Sequence, residues 1–363
     1  MGKRDALKVL GSLLLLLLAP SVEAQNCWAP DDIQPPDPAV AKSAPAAEWM
    51  QDLKAAGAVL KSIRTLQTLP EIRLRNNMYL GYPMPGFGNT ARVSANLYPP
   101  HTWEGPCGLK KGADYFTKAH LHVSFNEPRN IFNNHSYAVR DEQLDAYLEP
   151  QALERVGEEI LYSHRAVILT PDRLAPWVPV TVEEYLRFKE REAQKELANI
   201  EKTLSEMINP EDTSGEAEAM LREFEKTDPA QAKQLRKMIE ENKKTREASI
   251  AESLPEVRRQ VEEKQRYLAD LNGYIAKLSP RERGAQAVLE LNSGEGRYGM
   301  APAGSAGRGK LVKLNPALSQ GEKAARRIQL IVLQSFANDP SLGEPMTRAL
   351  REVDYAELRR LIR

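Results

Sequence analysis

The chain has 363 residues, of which 42% are hydrophobic, so it can bury a substantial core and form two or three domains. Its 50 Lys and Arg residues are balanced by 50 Asp and Glu residues, which gives a formal net charge of zero. A nucleic-acid-binding domain usually carries a basic excess, so the composition argues against a nucleic-acid partner.

The N-terminus has the three parts of a secretory signal peptide. Lys3, Arg4 and Lys8 supply the positive region, Leu13–Leu18 supply the apolar region, and Ala24 ends a small-residue cleavage site. The leucine run is much shorter than the roughly 20 apolar residues that span a bilayer. We therefore expect cleavage of residues 1–24 and a secreted or periplasmic mature chain without a membrane span.

Cys27 and Cys107 are the only two cysteines. In an oxidising compartment such a pair predicts a disulfide that ties the N-terminal segment to the folded domain, and the loop-closure model gives it about 4 to 5 kcal/mol. Two alternatives remain open, a nucleophilic thiol and a lipid anchor on Cys27. Against the lipid anchor, Asn26 stands where a lipoprotein signal has a small residue.

Residues 25–47 are rich in proline and poor in large apolar side chains, which indicates an extended Pro-rich arm. Apolar residues then recur at helical spacing and predict an amphipathic helix that ends before Pro70. They are Trp49, Leu53, Ala56, Leu60 and Ile63.

The pattern from Glu71 onwards has a period of two, which predicts half-buried strands. In KAHLHVSF, Ala119 and its alternate neighbours face one way, while His120 and His122 face the other. Turn-rich segments such as GYPMPGFGN and YPPHTWEGPCG lie between the strands and are candidate contact loops. We expect a helix near 141–156, followed by a buried strand at 166–169.

Charged residues, Ala and Leu dominate residues 179–280, which predicts a helical insertion. The order TVEE starts a helix, with Thr181 as its cap and Glu184 completing a capping box. Two apolar seams with heptad-like spacing predict a long antiparallel, coiled-coil-like hairpin, with two shorter helices between its arms. The seams are Leu186, Ala193, Leu197, Ile200, Leu204 and Met207, and Val257, Val261, Leu268, Leu271, Ile275 and Leu278, with Lys264 at a polar position.

The globular pattern returns at residues 281–363. A capping box at Ser279 to Glu282 starts a helix, an apolar run at 328–333 predicts a second buried strand, and Asp354 caps a last short helix. We expect the runs at 166–169 and 328–333 to share one sheet. The predicted fold class is therefore α+β: a mixed-sheet domain formed by residues 48–178 and 281–363, interrupted by the helical hairpin.

A glycine-rich stretch at 293–310 includes GSAGRGKL, which nearly matches a phosphate-binding loop. Gly304, Gly309 and Lys310 fit that pattern, but Leu311 cannot supply the hydroxyl that holds magnesium, and Pro316 argues against the helix that should follow. We interpret the stretch as a flexible loop that leads into a short strand at Leu311.

His120 and His122 are the candidate metal ligands, because residues two apart on a strand point to the same side. A third ligand of a zinc ion could come from His101, His135 or His164. The alternative is a pair of polar residues on a solvated strand face, without cofactor. The sequence contains no G-x-S-x-G elbow, and it identifies no catalytic residue.

Two functions follow as expectations. The first is an exported, non-enzymatic binding or scaffold protein that uses the helical insertion or the Pro/Gly-rich loops to contact a protein partner or a second copy. The second is an exported hydrolase, metal-dependent through His120 and His122.

Overall fold

The computed structural model describes residues 27–34, 46–84, 87–132, 137–208, 214–290, 297–301, 309–319 and 328–362. The predicted signal peptide, most of the predicted glycine-rich loop and His135 lie outside these ranges. The structure is mixed α/β, with a multi-stranded sheet and one long helix.

The chain divides into two compact units, and each contains more than one segment. The first unit comprises the described residues of Met1–Tyr137, Tyr147–Val178 and Leu314–Arg363. The second comprises those of Ala138–Ala146 and Pro179–Lys313.

The strands of the described chain form one large sheet and two small ones. The strands are β1 (Asp32–Ile33), β2 (Arg73–Met84), β3 (Gly88–Tyr98), β4 (Trp103–Glu104), β5 (Gly108–Leu109), β6 (Ala119–Phe125), β7 (Tyr137–Arg140), β8 (Asp145–Leu148), β9 (Ala152–Val156), β10 (Glu159–Tyr162), β11 (Ala166–Leu169), β12 (Trp177–Pro179), β13 (Leu311–Leu314) and β14 (Ile331–Ala337). The large sheet has the order β1-β2-β3-β6-β14-β11-β10-β9; the others are β12-β13-β8-β7 and β4-β5.

One face of the eight-stranded sheet carries the hydrophobic core of the first unit. The alternation predicted for β6 is present: Leu121 and Val123 are fully buried, and helices α1 (Ala46–Ser62), α2 (Arg64–Thr68), α7 (Gly343–Arg351) and α8 (Tyr355–Arg359) contribute to the same core. The prediction that the two apolar runs share a sheet is confirmed, because β14 pairs antiparallel with β11.

The first described residues pair with the large sheet: β1 pairs in parallel with Asn77 and Met78 of β2, and Trp28 bridges Leu74. One prediction in this unit is wrong. The helix expected near 141–156 is absent, and strands occupy this region instead. A turn at Gly157, with φ of 62°, folds β9 onto β10, so strand pairing overrides the helical propensity of the segment.

The helices of the second unit are α3 (Val182–Ile208), α4 (Ser214–Thr227), α5 (Pro229–Lys277) and α6 (Pro280–Gly284). The capping boxes at Thr181 and Ser279 are both present. Asp228 caps α5, but the short helix expected after it is not separate. It continues through Pro255 into the second seam, so that α5 has 49 residues.

The helices α3 and α4 both contact α5. Lys264 of α5 forms an ion pair with Glu196 of α3, and Arg236 forms one with Glu225 of α4. None of the helices in the described ranges has the length and apolar character that crossing a bilayer requires.

Candidate functional site

The face of the large sheet opposite the core is polar where β3, β6 and β14 meet. Pairing places Ser94 of β3 and Gln334 of β14 on either side of His122, and Ser124 beside Arg92. Since alternate residues of a strand share a face, Arg92, Ser94, His120 and His122 all lie on this surface. We call these four residues the His face.

The structure brings His120 and His122 together, with ring centroids 4.1 Å apart. The ring of Phe336 lies against both, at 4.8 Å from His120 and 5.5 Å from His122. The Oγ of Ser94 is 2.5 Å from Nδ1 of His122, within hydrogen-bond distance. When the Ser94 hydroxyl donates to Nδ1, the ring proton of neutral His122 is on Nε2.

Both imidazoles are half-buried and favour the neutral form. Burial lowers the pKa of His120 to about 4, and the nearby positive charge of Arg92 adds to this. Burial also holds the pKa of His122 well below its usual value, helped by His120 and Arg92. At neutral pH the pair can therefore donate and accept hydrogen bonds without carrying charge.

Arg92 is half-buried, and its guanidinium forms no hydrogen bond or ion pair with any residue that the structure describes. Arg92 acts electrostatically on the carboxyl of Glu127. Burial raises the pKa of Glu127, and the positive charge of Arg92 partly opposes that rise. The amide of Asn130 donates to Oε2 of Glu127 at 2.7 Å and to Oγ of Ser124 at 2.8 Å. Glu127 is thus already held by a neighbouring side chain.

His101 and His164, the predicted third ligands that the structure describes, do not join the pair. His101 packs edge-on against Phe116, with centroids 5.2 Å apart, and His164 lies beside Tyr162. Within the described ranges, no group of three or more His, Cys, Asp or Glu side chains could hold a metal ion. The two-histidine zinc site thus stays a prediction, and no third ligand lies beside it among the described residues.

The two cysteines form the expected disulfide. Cys27 and Cys107 are linked, with their Cα atoms 5.4 Å apart and a sequence separation of 80. The bridge holds the start of the described chain beside β2, where the backbone nitrogen of Leu74 donates to the carbonyl of Cys27.

The last glycine of GSAGRGKL has a structural role. An added Cβ on Gly309 would collide with the backbone of Leu289, whose N–H donates to the carbonyl of Gly309 at 2.7 Å. Only glycine permits this close approach. Gly309 therefore serves backbone pairing next to β13, which begins at Leu311 as expected.

The helices α3 and α5 of the second unit present a second candidate surface. Their seam is fully buried at one end, by Leu186 and Ala193 of α3 and Leu271 and Ile275 of α5. Towards the far end of α3 the seam residues are only half-buried, and a groove runs between the two helices. These residues are Leu197, Ile200, Leu204, Met207, Val257 and Val261.

Sequence reasoning identified the histidines but missed Arg92, Ser94 and Glu127. The alternation in ARVSANLY, with small and apolar residues between Arg92, Ser94 and Asn96, could have placed a polar stripe on β3. The pairing of that stripe with β6 could not be read from the sequence. No protein-family model, curated protein or solved structure matches this chain.

Proposed function

We propose that the chain is an exported, non-enzymatic binding protein, and that α3, α4 and α5 form a coiled-coil-like hairpin that contacts a protein partner. The single observation that carries this proposal is the half-buried apolar seam between α3 and α5. Two helices alone leave the seam residues partly in water, and a further helix packed along them would remove the remaining apolar surface from water.

The dimensions of α5 favour a contact role. At 1.5 Å per residue, a helix of 49 residues is about 73 Å long. Residues 240–249 are all exposed, and the ion pair of Lys244 with Glu240 supports the helix in this stretch. A polar helical stretch of this kind extends the surface that a partner can reach without adding to the core.

The base of the hairpin supports its treatment as an insertion. Thr181 and Gln286 form an antiparallel bridge, and the N–H of Val182 donates to the carbonyl of Ala285 at 2.9 Å. The chain therefore leaves and returns at one place, which is the geometry that domain insertions commonly have.

Export is supported by two features. The disulfide is typical of oxidising compartments, and the sequence of residues 1–24 has the form of a signal peptide. Mass determination of the secreted or periplasmic form tests the predicted cleavage after Ala24.

The alternative hydrolase would use His120 and His122. The Ser94–His122 hydrogen bond favours it as a nucleophile and base pair, but the guanidinium of Arg92 repels a metal dication at this position. Zinc analysis of the purified mature chain separates the two functions. One zinc per chain that is lost in a His120→Ala, His122→Ala double variant would favour the hydrolase.

The binding function is tested with Ile200→Glu, Val261→Glu and the double variant. Each substitution places a negative charge on the apolar seam that a partner would cover. We therefore expect the variants to lose self-association, measured by light scattering, or to lose the partner that a photo-crosslinker at Leu204 traps in the wild type. The matched control is Lys202→Glu, an exposed position on the same helix. Unchanged association in the double variant, with helicity retained, would overturn the proposal.

A further inference from the structure

We propose that the His face binds a small molecule through an oxyanion group, a phosphate or a carboxylate, with Arg92 as the charged partner of that group. This site is independent of the helical hairpin, so the failure of one proposal leaves the other standing.

Leaving Arg92 unpaired costs free energy. A half-buried guanidinium has lost part of its hydration, and proteins normally compensate this with a carboxylate or a carbonyl acceptor. Two other half-buried arginines have such a partner, since Arg359 pairs with Glu159 and Arg75 pairs with Asp114. Arg92 has no such partner in the described chain.

The carboxyl of Glu127 does not fill this role. Glu127 is half-buried, burial raises its pKa, and its Oε2 accepts from Asn130. It forms no ion pair with Arg92. The guanidinium of Arg92 can therefore pair with an external anion.

The groups around Arg92 suit an oxyanion. A guanidinium offers donors in a fork that matches two oxygens of a carboxylate or phosphate. When the Ser94 hydroxyl donates a hydrogen bond to Nδ1, neutral His122 presents an N–H at Nε2. The ring centroid of His120 lies 4.1 Å from that of His122. Arg92, His120 and His122 each keep part of their surface exposed, so a ligand can reach them.

The same features argue against a cation. Arg92 already disfavours positive charge on both imidazoles, and a metal ion in this place would experience the same repulsion. The ring of Phe336 borders the pair and gives a ligand an apolar wall beside its charged group.

The test uses the whole mature chain with inorganic phosphate and acetate as probes, at matched ionic strength with chloride. We expect calorimetry to detect binding of at least one probe. Phosphate alone would indicate a phosphorylated ligand, and acetate alone a carboxylate ligand. Absence of binding by both probes at about ten millimolar would overturn the proposal.

Arg92→Gln should weaken that binding by about ten- to hundredfold, the range expected for losing a charge-assisted hydrogen bond. The matched control is Arg155→Gln, an exposed arginine on β9, which should bind as the wild type does. Equal weakening in both variants would show a general charge effect, and no weakening in either would show that Arg92 does not hold the anion. Both outcomes contradict the site.

A second readout does not depend on a variant. Phosphate or acetate should shift the imidazole ¹⁵N resonances of His120 and His122 and leave those of His101 unchanged. Arg92→Gln should also melt at or above the wild-type temperature in probe-free chloride, because an unpaired charge is removed from a half-buried position. Unshifted resonances of both histidines at saturating probe would overturn the assignment.

Discussion

Arg359 and Glu159 lie 200 residues apart in the chain and form a two-point ion pair, with Nε 2.6 Å from Oε1 and Nη2 2.7 Å from Oε2. Nη1 of Arg359 also donates to the carbonyl of Thr170 at 3.0 Å. The side chain of Glu159 is only 7% exposed. The last helix is thereby fastened to the strand pair β10–β11.

Replacing Arg359 with Ala should destabilise the fold by about 3 to 5 kcal/mol, because a buried carboxylate loses its partner. Urea denaturation measures the change. The control is Arg351→Ala, which removes an ion pair to Glu154 whose two side chains are 41% and 40% exposed. That variant should lose less than about 1 kcal/mol, and equal losses in both would contradict this account.

Asn126 should be the most sensitive amide in the sheet. It is fully buried with φ of 53°, its Nδ2 donates to the carbonyls of Phe87 and Asn89, and its Oδ1 accepts from the N–H groups of Gln329 and Leu330. Asn126→Ala leaves these buried groups unpaired and loses a residue that tolerates positive φ.

We expect Asn126→Ala to lower the free energy of unfolding by about 3 kcal/mol or more, as measured in urea. The control is the exposed amide of Asn338, which donates only to Thr117. Asn338→Ala should cost about 1 kcal/mol or less. A loss of similar size in the two variants would refute the special role of Asn126.

Reduction of the Cys27–Cys107 disulfide should lower the melting temperature of the protein. The two cysteines are separated by 80 positions, and strain and residual structure in the unfolded chain usually reduce the loop-closure value to about 2 to 4 kcal/mol. Thermal melts with and without reductant measure the effect. A Cys27→Ser, Cys107→Ser variant should melt at the lower temperature in both conditions. If reductant lowers the melting temperature of that variant as well, the effect does not come from the disulfide.

Mild acid should destabilise the protein through His164. Burial lowers the pKa of His164 to about 4, against a weaker opposite effect of the Ile131 backbone. Between pH 6.5 and 4 the unfolded chain binds a proton here that the folded chain does not, so stability is lost as the pH falls through this window.

His164→Gln removes this linkage. The drop in unfolding free energy between pH 7 and pH 5 should be smaller in the variant than in the wild type, by about 1 to 2 kcal/mol. Urea titrations at the two pH values measure it. Identical drops would mean that His164 titrates normally in the folded protein.

Pro255 should weaken the long helix. It lies inside α5, where it has no N–H for the carbonyl of Ala251, and it is exposed. Pro255→Ala should stabilise the helix by up to about 3 kcal/mol, seen as a higher midpoint in far-ultraviolet circular dichroism. Glu252→Ala is the control, and a lower midpoint for Pro255→Ala would show that the proline fits a required bend.

Local signals in the sequence predicted local structure well. The capping boxes at Thr181 and Ser279 depend on side chains three residues apart, and both formed as expected. The alternation of β6 and the start of β13 are of the same kind, since each depends on residues close in sequence.

Long-range pairing could not be predicted in this way. Ser94 reaches His122 only because β3 and β6 pair in one register, and no local pattern specifies that register. The segment near Glu154 has helix-forming residues but becomes strand β9, because β10 offers backbone partners along its length. The polar His face and the missed strands therefore share one cause, which is strand pairing between distant segments.

The position of β14 has a consequence for how the chain matures. This strand lies between β6 and β11, yet it follows every other strand of that sheet in the chain, at Ile331–Ala337. Until β14 has been synthesised, β6 and β11 have no central strand to join them and each leaves an unpaired edge. Folding of the sheet therefore cannot finish before β14 emerges, and proteins with such distant pairings fold slowly. A chaperone that shields unpaired edges would act during that interval.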